Sequence, residues 1–287
     1  MIIAKTISEL QQALSPSRQT GKSIGFVPTM GNLHQGHLSL VEKAKEVADV
    51  VVVSIFVNPT QFGPNEDFDS YPRTFDADCE KLSSQQADIV FAPSVDEVYP
   101  GYSSNKTKPS LTKVHVEQLG KQHCGASRPG HFDGVTTIVS KLFNMVRPDI
   151  AVFGQKDFQQ ITIIRRMVQD LNIPVTIISA PILREENGLA MSSRNGYLST
   201  SEKEQAAAIY RTLTWAKKQL EEHKLSFDEV EQSAVKQLSE QGFRVDYFNV
   251  SNADTLQVAE TTDKNLVILV AAYLDKVRLI DNIQVTL

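Results

Sequence analysis

Two histidines, His34 and His37, carry the first chemistry legible in this 287-residue chain. They lie in the stretch Pro28-Thr29-Met30-Gly31-Asn32-Leu33-His34-Gln35-Gly36-His37-Leu38, after an apolar strand-like run from Ile24 to Val27 and before a helix-like run from Leu38 to Val47. Backbone N–H groups at the start of a helix lack intrahelical partners and favour anions. Histidines at i and i+3 share one face of the first turn. Gly36 between them has no side chain, so a phosphate can approach the backbone closely. The expected chemistry is the holding of nucleotide phosphates.

Other uses of such a motif are weaker or plainer. Zinc needs a third ligand, and neither a cysteine nor a third histidine lies nearby in the sequence. Gly31 and Gly36 have the glycine spacing of a P-loop, but His37 and Leu38 stand where a P-loop has Lys and Ser or Thr. A helix-capping role for both imidazoles is the structural alternative. No G-x-G-x-x-G follows a strand, which argues against a dinucleotide site.

Two further pieces suit the same ligand. Gly154-Gln155-Lys156-Asp157 ends an apolar strand and opens a helix, so Lys156 would stand near the carboxyl end of the sheet. Asp157 suits an N-cap, and Gln160 falls on the same helix face. Met191-Ser192-Ser193-Arg194-Asn195 joins two hydroxyls to a guanidinium, a combination suited to phosphate or pyrophosphate. By itself this segment reads equally as a polar turn before a helix. The three pieces bring imidazoles, a lysine, hydroxyls and an arginine, with neither a nucleophilic triad nor an acidic two-metal cluster. Such a site neutralises negative charge rather than attacking a substrate covalently.

These residues need a scaffold, and the chain alternates strand and helix signals. Val50 to Val57 is a β-branched run of the kind buried on both faces of a sheet. A helix is predicted over Thr74 to Gln86, a strand over Asp88 to Ala92, a helix over Gly130 to Val146 ending before Pro148, a strand over Ile150 to Phe153, a helix over Phe158 to Leu171 and a strand over Val175 to Ala180. Alternation of this kind implies an α/β fold: a Rossmann-like, doubly wound parallel sheet that binds ligands at the carboxyl ends of its strands. Beyond residue 184 the pattern changes to one long helix over Ser199 to Lys224, a second over Ser226 to Glu240, and strands over Arg244 to Val250, Asn265 to Tyr273 and Val277 to Val285. We therefore expect a larger domain over 1–183 and a smaller α+β domain over 184–287, with the boundary between Pro181 and Gly188. Asn58 to Arg73 and Pro100 to Pro129 are long for simple connections, and are expected to be lids or surface excursions.

Composition bounds the rest. The chain is 41% hydrophobic and 22% charged, which supplies a globular core. A net charge of −5 argues against nonspecific nucleic-acid binding. Cys79 and Cys124 are the only cysteines and suit reduced thiols better than a disulfide scaffold. No apolar run approaches a membrane span, and Met1 to Lys5 lacks a signal-peptide apolar region, so a soluble cytoplasmic protein is expected.

His34-Gln35-Gly36-His37 resembles the H-x-G-H signature of the nucleotidyltransferase superfamily, which includes class I aminoacyl-tRNA synthetases, and Met191 to Arg194 resembles its second phosphate loop. More narrowly, Pro28 to His37, Phe56-Val57-Asn58-Pro59-x-Gln61-Phe62, Arg128-Pro129-Gly130-His131-Phe132, Gly154-x-Lys156-Asp157-x-Gln159-Gln160 and Ser192 to Asn195 resemble the pantoate–β-alanine ligase (pantothenate synthetase) family in order and spacing. Gln155 departs from the acidic residue common there. The resemblance covers nearly the whole chain, more loosely after about residue 215.

The resemblance implies ATP-dependent condensation of pantoate with β-alanine through a pantoyl adenylate, releasing AMP and pyrophosphate. It implies that His34 and His37 contact the ATP phosphates, with His37 stabilising the transition state. Lys156 would bridge phosphate oxygens, and Ser192, Ser193 and Arg194 would hold the β- and γ-phosphates. Met30, Gly154, Asp157, Leu183 and Met191 would line the rest of the ATP site. Gln61 and Gln160 would hold pantoate, with Asn58 near the second substrate. Mg2+ would travel with ATP, with Asp78 as a possible contact, and the chain would form a homodimer whose smaller domain closes as a lid. A nucleotidyltransferase that leaves AMP on its product, and a nucleotide-sensing or zinc-binding protein, are the rival readings.

Overall fold

In the computed structural model, which describes residues 1–64, 66–102 and 111–287, the chain divides into two compact units. The first comprises Met1–Gly120, Arg128–Gln155 and Gln160–Pro181; the second comprises Lys121–Ser127, Lys156–Gln159 and Ile182–Leu287. The chain passes from the first to the second for good at Pro181–Ile182.

The first unit is built on six parallel strands: β1 (Ile2–Ala4), β2 (Ile24–Thr29), β3 (Val50–Ile55), β4 (Ile89–Phe91), β5 (Ile150–Gly154) and β6 (Thr176–Ala180). Their order in the sheet is β1-β4-β3-β2-β5-β6. Strand β2 is flanked by β3 on one side and β5 on the other, so the strand order reverses around it. In open α/β sheets a ligand crevice forms at such a switch point. The register places Thr29 beside Ile55, bringing the carboxyl ends of β2 and β3 together. Val50 to Val53 are all buried, as a β-branched run inside a parallel sheet should be.

Helices connect these strands: α1 (Ile7–Gln19), α2 (Gln35–Val47), α3 (Phe75–Ser84), α4 (Val95–Val98), α5 (Cys124–Ser127), α6 (His131–Val146) and α7 (Phe158–Asp170). α6 stops where Arg147 takes a left-handed conformation (φ 47°) just before Pro148. The sequence reading assigned neither β1 nor α1. The strand is too short to show a period. The helix signal was present in the Thr6 and Glu9 capping box, which the structure forms in both directions.

The second unit packs α8 (Thr200–Ala206), α9 (Ala208–Glu221) and α10 (Phe227–Glu240) with an antiparallel sheet in the order β7 (Arg244–Asn252), β8 (Asn265–Leu274) and β9 (Val277–Thr286). The single helix expected over Ser199 to Lys224 is two. Ala207 keeps right-handed angles (φ −60°, ψ −15°), but its ψ is shifted towards the 3₁₀ value, with Ala206, Ala207 and Ala208 fully buried. No glycine or proline marks that joint in the sequence. The second helix ends early because His223 adopts a left-handed φ of 49°. Among the described residues no helix is long and apolar enough to cross a membrane.

Candidate functional site

The histidine loop is shaped before its imidazoles act. Thr29 donates its hydroxyl to the Ser54 carbonyl (2.6 Å) and accepts the N–H of Gly31 (3.2 Å). Gly31 sits at φ +78°, where a Cβ would meet Asp78 Oδ2 and Ile55 Cγ2 at 3.1 Å, so this turn selects glycine. Asp78, fully buried on α3, accepts the N–H groups of Asn32 (2.8 Å) and Leu33 (2.7 Å) and the hydroxyl of Thr74 (3.2 Å). Lys81, one turn on, donates to the Leu33 carbonyl at 2.6 Å. Helix α3 therefore grips the loop from below.

His34 is the N-cap of α2 and His37 its third residue. The two rings lie 4.1 Å apart. The Gly36 N–H donates to His34 Nδ1 (3.1 Å), and the His34 N–H points to His37 Nδ1 (3.4 Å). A ring nitrogen that accepts carries no proton, so in both neutral imidazoles the proton belongs on Nε2. The capping role foreseen as the structural alternative is thus real, and it also fixes the tautomer that donates. Two N–H donors at a helix N-terminus suit the oxygens of a phosphate.

On the neighbouring strand end, Asn58 caps a 3₁₀ turn over Pro59–Gln61. Its amide is almost completely buried, donating to Gln61 Oε1 (3.1 Å) and the Gly134 carbonyl (3.2 Å) and accepting from the hydroxyls of Tyr99 (2.9 Å) and Thr60 (3.0 Å). Gln61 Nε2 in turn lies 3.1 Å from Met30 Sδ. Met30, Asn58 and Gln61 therefore form one connected cluster. The bonds of Asn58 make it the mount of Gln61.

His131 holds Gln61 from the backbone side. Arg128 Nη1 donates to His131 Nε2 (3.0 Å), which leaves Nδ1–H to donate to the Gln61 carbonyl (2.8 Å). Arg128 also forks onto Glu66 at 2.6 and 2.7 Å. Burial works against the Glu66 carboxylate, but the guanidinium beside it holds its pKa below the ordinary value. These contacts tie Gln61 and Glu66, in the lid expected over Asn58 to Arg73, to the start of α6; residue 65 of that lid lies outside the described residues. The other expected lid, Pro100 to Pro129, includes residues 103–110, which lie outside the described residues.

The remaining candidates fall on two further stretches. Gly154 ends β5, where a Cβ would meet Leu40 Cδ2 at an ordinary 3.8 Å. Gln155–Asp157 form a 3₁₀ turn that runs straight into α7, so Asp157 is part of that turn rather than the N-cap expected. Gln160 is half-buried on the first turn of α7.

Within the second unit, Arg184 bridges to Ala190 and the Met191 N–H donates to the Leu183 carbonyl (3.0 Å), closing a small hairpin whose turn uses Gly188 at φ +94°. This hairpin, not foreseen in the sequence, brings Leu183 and Met191 side by side. Ser192 then caps a 3₁₀ turn over Ser193–Tyr197, and buried Asn195 anchors it by donating to the Ala190 carbonyl (3.1 Å). A small hollow is lined by Lys156, Ser192, Asn195, Tyr210 and Asp281, so the lysine and the serine loop share one concavity. Asp281 is buried there against Arg184 (2.6 and 3.0 Å), whose guanidinium lies 3.6 Å over the Tyr210 ring. Burial pushes the Asp281 pKa up, and Arg184 opposes the shift. The Lys156 carbonyl accepts from Asn282 Nδ2 at 2.9 Å.

Asp78 does not fit the metal role considered for it, because both carboxylate oxygens already serve backbone N–H groups. Among the described residues no group of three or more His, Cys, Asp or Glu side chains is arranged to hold a metal ion. The functional residues missed by sequence reasoning are Tyr99, Asp78 in its structural role, and Arg128 with His131. The last two stood inside a quoted motif without an assigned task.

A doubly wound parallel sheet with two imidazoles at the carboxyl end of β2 defines an α/β fold of the Rossmann-like class. The chain belongs to the pantoate–β-alanine ligase family: the family model described as Pantoate-beta-alanine ligase matches residues 2–284. The pantothenate synthetase of Marinobacter nauticus is 54% identical over 281 residues, covering 98% of each chain. A crystal structure of pantothenate synthetase from Thermus thermophilus superposes with a TM-score of 0.90 at 41% identity, covering 99% of both chains. The Francisella tularensis pantoate-beta-alanine ligase, crystallised with beta-gamma ATP and beta-alanine, matches with a TM-score of 0.81 at 36% identity, covering 99% of this chain and 97% of that one.

Proposed function

We propose that this chain condenses pantoate with β-alanine at the expense of ATP, using its phosphate-facing donors in place of a covalent nucleophile. The reaction forms pantothenate, and its ATP-consuming half joins pantoate to AMP as an acyl adenylate, breaking the α–β phosphoanhydride bond and releasing pyrophosphate. Pantoate's carboxylate is already ionised at neutral pH, so this half needs no general base. It needs the carboxylate oxygen held in line with the α-phosphorus, and charge growing on the phosphate oxygens neutralised. The β-alanine amine then attacks the activated carbonyl, and AMP leaves.

One observation carries the assignment of roles: His34 N-caps α2 and His37 stands in its first turn, beside backbone N–H groups that favour an anion. His34 and His37 take the ATP phosphates, and His37 stabilises the transition state. Lys156 bridges phosphate oxygens, while Ser192, Ser193 and Arg194 hold the β- and γ-phosphates. The hollow that Lys156 shares with Ser192 supports that pairing. Met30, Gly154, Asp157, Leu183 and Met191 line the remainder of the nucleotide site. Gln61 and Gln160 hold pantoate. Mg2+ accompanies ATP through phosphate oxygens and water, as this ion does where few protein ligands are offered.

The nucleotide and pantoate sites are assigned to the larger domain, residues 1–183, and a lid role to 184–287. By the family resemblance we place the protein in the cytoplasm as a homodimer, which light scattering would check. Omitting each of ATP, magnesium, pantoate and β-alanine in turn, with products identified by mass, tests the whole reading. Free AMP that requires the amine acceptor supports the ligase. AMP retained on the final product would instead indicate a nucleotidyltransferase.

A further inference from the structure

Two backbone groups force the orientation of the Asn58 amide, and the directions run on to Gln61. The Gly134 carbonyl can only accept, so the Asn58 amide nitrogen must face it (3.2 Å). The Thr60 backbone N–H can only donate, so the Asn58 oxygen must face that side (3.4 Å). The hydroxyls of Thr60 (3.0 Å) and Tyr99 (2.9 Å) donate to the same oxygen. Asn58 Nδ2 then has one hydrogen left, and it points at Gln61 at 3.1 Å. The Gln61 atom that receives it must be Oε1, which turns Nε2 the other way, towards Met30 Sδ (3.1 Å). A thioether is a weak acceptor that a substrate oxygen displaces readily.

We propose that Tyr99 is a positioning residue that, through Asn58, locks the Gln61 amide with its N–H donors facing the substrate, so that Gln61 selects an acceptor oxygen, a carboxylate or hydroxyl, at that point. This rests on the reading of Gln61 as a pantoate contact. Tyr99 is fully buried, its ring 6.3 Å from that of Phe56, and Asn58 is 1% exposed, so water cannot substitute for either partner. Burial also pushes the Tyr99 pKa up to about 12, which keeps the phenol a donor throughout the working range. A rotation of the Asn58 amide would put its oxygen against the Gly134 carbonyl and its nitrogen against the Thr60 N–H, two like contacts at once. Backbone groups therefore set the polarity, the Tyr99 hydroxyl holds the amide against them, and neither needs a substrate.

The test compares Gln61→Ala, Gln61→Glu and Tyr99→Phe in the full chain, measuring KM for pantoate and for ATP together with the melting temperature. Gln61→Ala must raise the pantoate KM. If it does not, the underlying reading of Gln61 fails and the proposal goes with it. Gln61→Glu keeps an acceptor for Asn58 but turns an oxygen towards the substrate, so it should raise the pantoate KM beyond that of Gln61→Ala. An equal or smaller rise overturns the polarity. Tyr99→Phe keeps the ring and removes the hydroxyl that reaches Asn58 and Thr60, so we expect the pantoate KM to rise about three- to tenfold with the ATP KM unchanged. A pantoate KM within twofold of wild type, alongside a disabled Gln61→Ala, overturns the role of Tyr99 while leaving that of Gln61 intact. Thr60→Val removes the companion hydroxyl and gives the same reading should Tyr99→Phe fail to fold.

Discussion

Asp78 accepts the backbone N–H of Leu33 at 2.7 Å, so a carboxylate on one helix sets the entry angle of the next. The same side chain takes the N–H of Asn32, and the loop it fixes delivers both histidines. Charge-assisted hydrogen bonds to a buried carboxylate are each worth about 1.5–3 kcal/mol. Asp78→Ala should therefore lower the unfolding free energy by about 2–4 kcal/mol and slow adenylate formation. The magnesium concentration giving half-maximal rate at saturating ATP should not move. A large shift of that midpoint in a folded variant would restore Asp78 as a metal ligand.

Phosphate donors should show up in the chemical step. Losing one positioned donor typically costs about 100- to 1000-fold in rate. We expect losses of that order in single-turnover pyrophosphate release for His37→Ala and for Lys156→Ala, with the melting temperature little changed. Near-wild-type rates in both would refute their assignment.

Gly134 faces the turn that carries Gln61. A Cβ there would stand 2.3 Å from the Thr60 carbonyl oxygen and 2.7 Å from Gln61 Cα, closer than packed atoms allow. Gly134→Ala should destabilise the protein by about 1–3 kcal/mol, the usual cost of overpacking. The pantoate KM should rise while that for ATP holds. An unchanged pantoate KM would mean that the turn tolerates displacement.

Acid should weaken the second unit through His123. Burial lowers its pKa below 6.5, outweighing its contact with the Leu256 carbonyl at 3.1 Å. Its other nitrogen accepts from Asn249 (3.0 Å), so the ring is built to stay neutral. The unfolded chain takes up this proton first. The contribution of His123 is thus fully present above pH 6.5 and is lost as pH falls through the folded-state pKa. Calorimetry from neutral pH down to about pH 5 should show a shallower loss of stability in His123→Gln than in the parent. Parallel curves would assign the acid sensitivity to other groups.

Much of the scaffold was legible because it rests on local patterns. The β-branched run at Val50 to Val53, the histidine motif between strand and helix, and the change of pattern near residue 184 all announced their elements. The joint at Ala207 escaped because buried alanines are as much at home in a continuous helix as at a break. The hairpin over Leu183 to Met191 escaped because its two arms are too short for a period to emerge. The N-cap expected of Asp157 was a sound local preference overridden by the 3₁₀ turn that takes Asp157 in and runs into α7.

The candidate site divides in the same way. Residue types and their order along the chain are enough to propose donors for a triphosphate, since charge and hydrogen-bonding capacity belong to the side chain itself. Whether His34 and His37 donate from Nε2, whether Asn58 meets a substrate or carries Gln61, and whether Asp78 holds a metal or a loop depend on which backbone groups stand opposite them. For the histidines those groups are local, at His34 and Gly36, but Gly134 of α6 stands opposite Asn58, and Asn32 and Leu33 stand opposite Asp78. Such pairs are far apart in sequence, and a hydrogen bond acquires its direction only once folding has placed both of its ends.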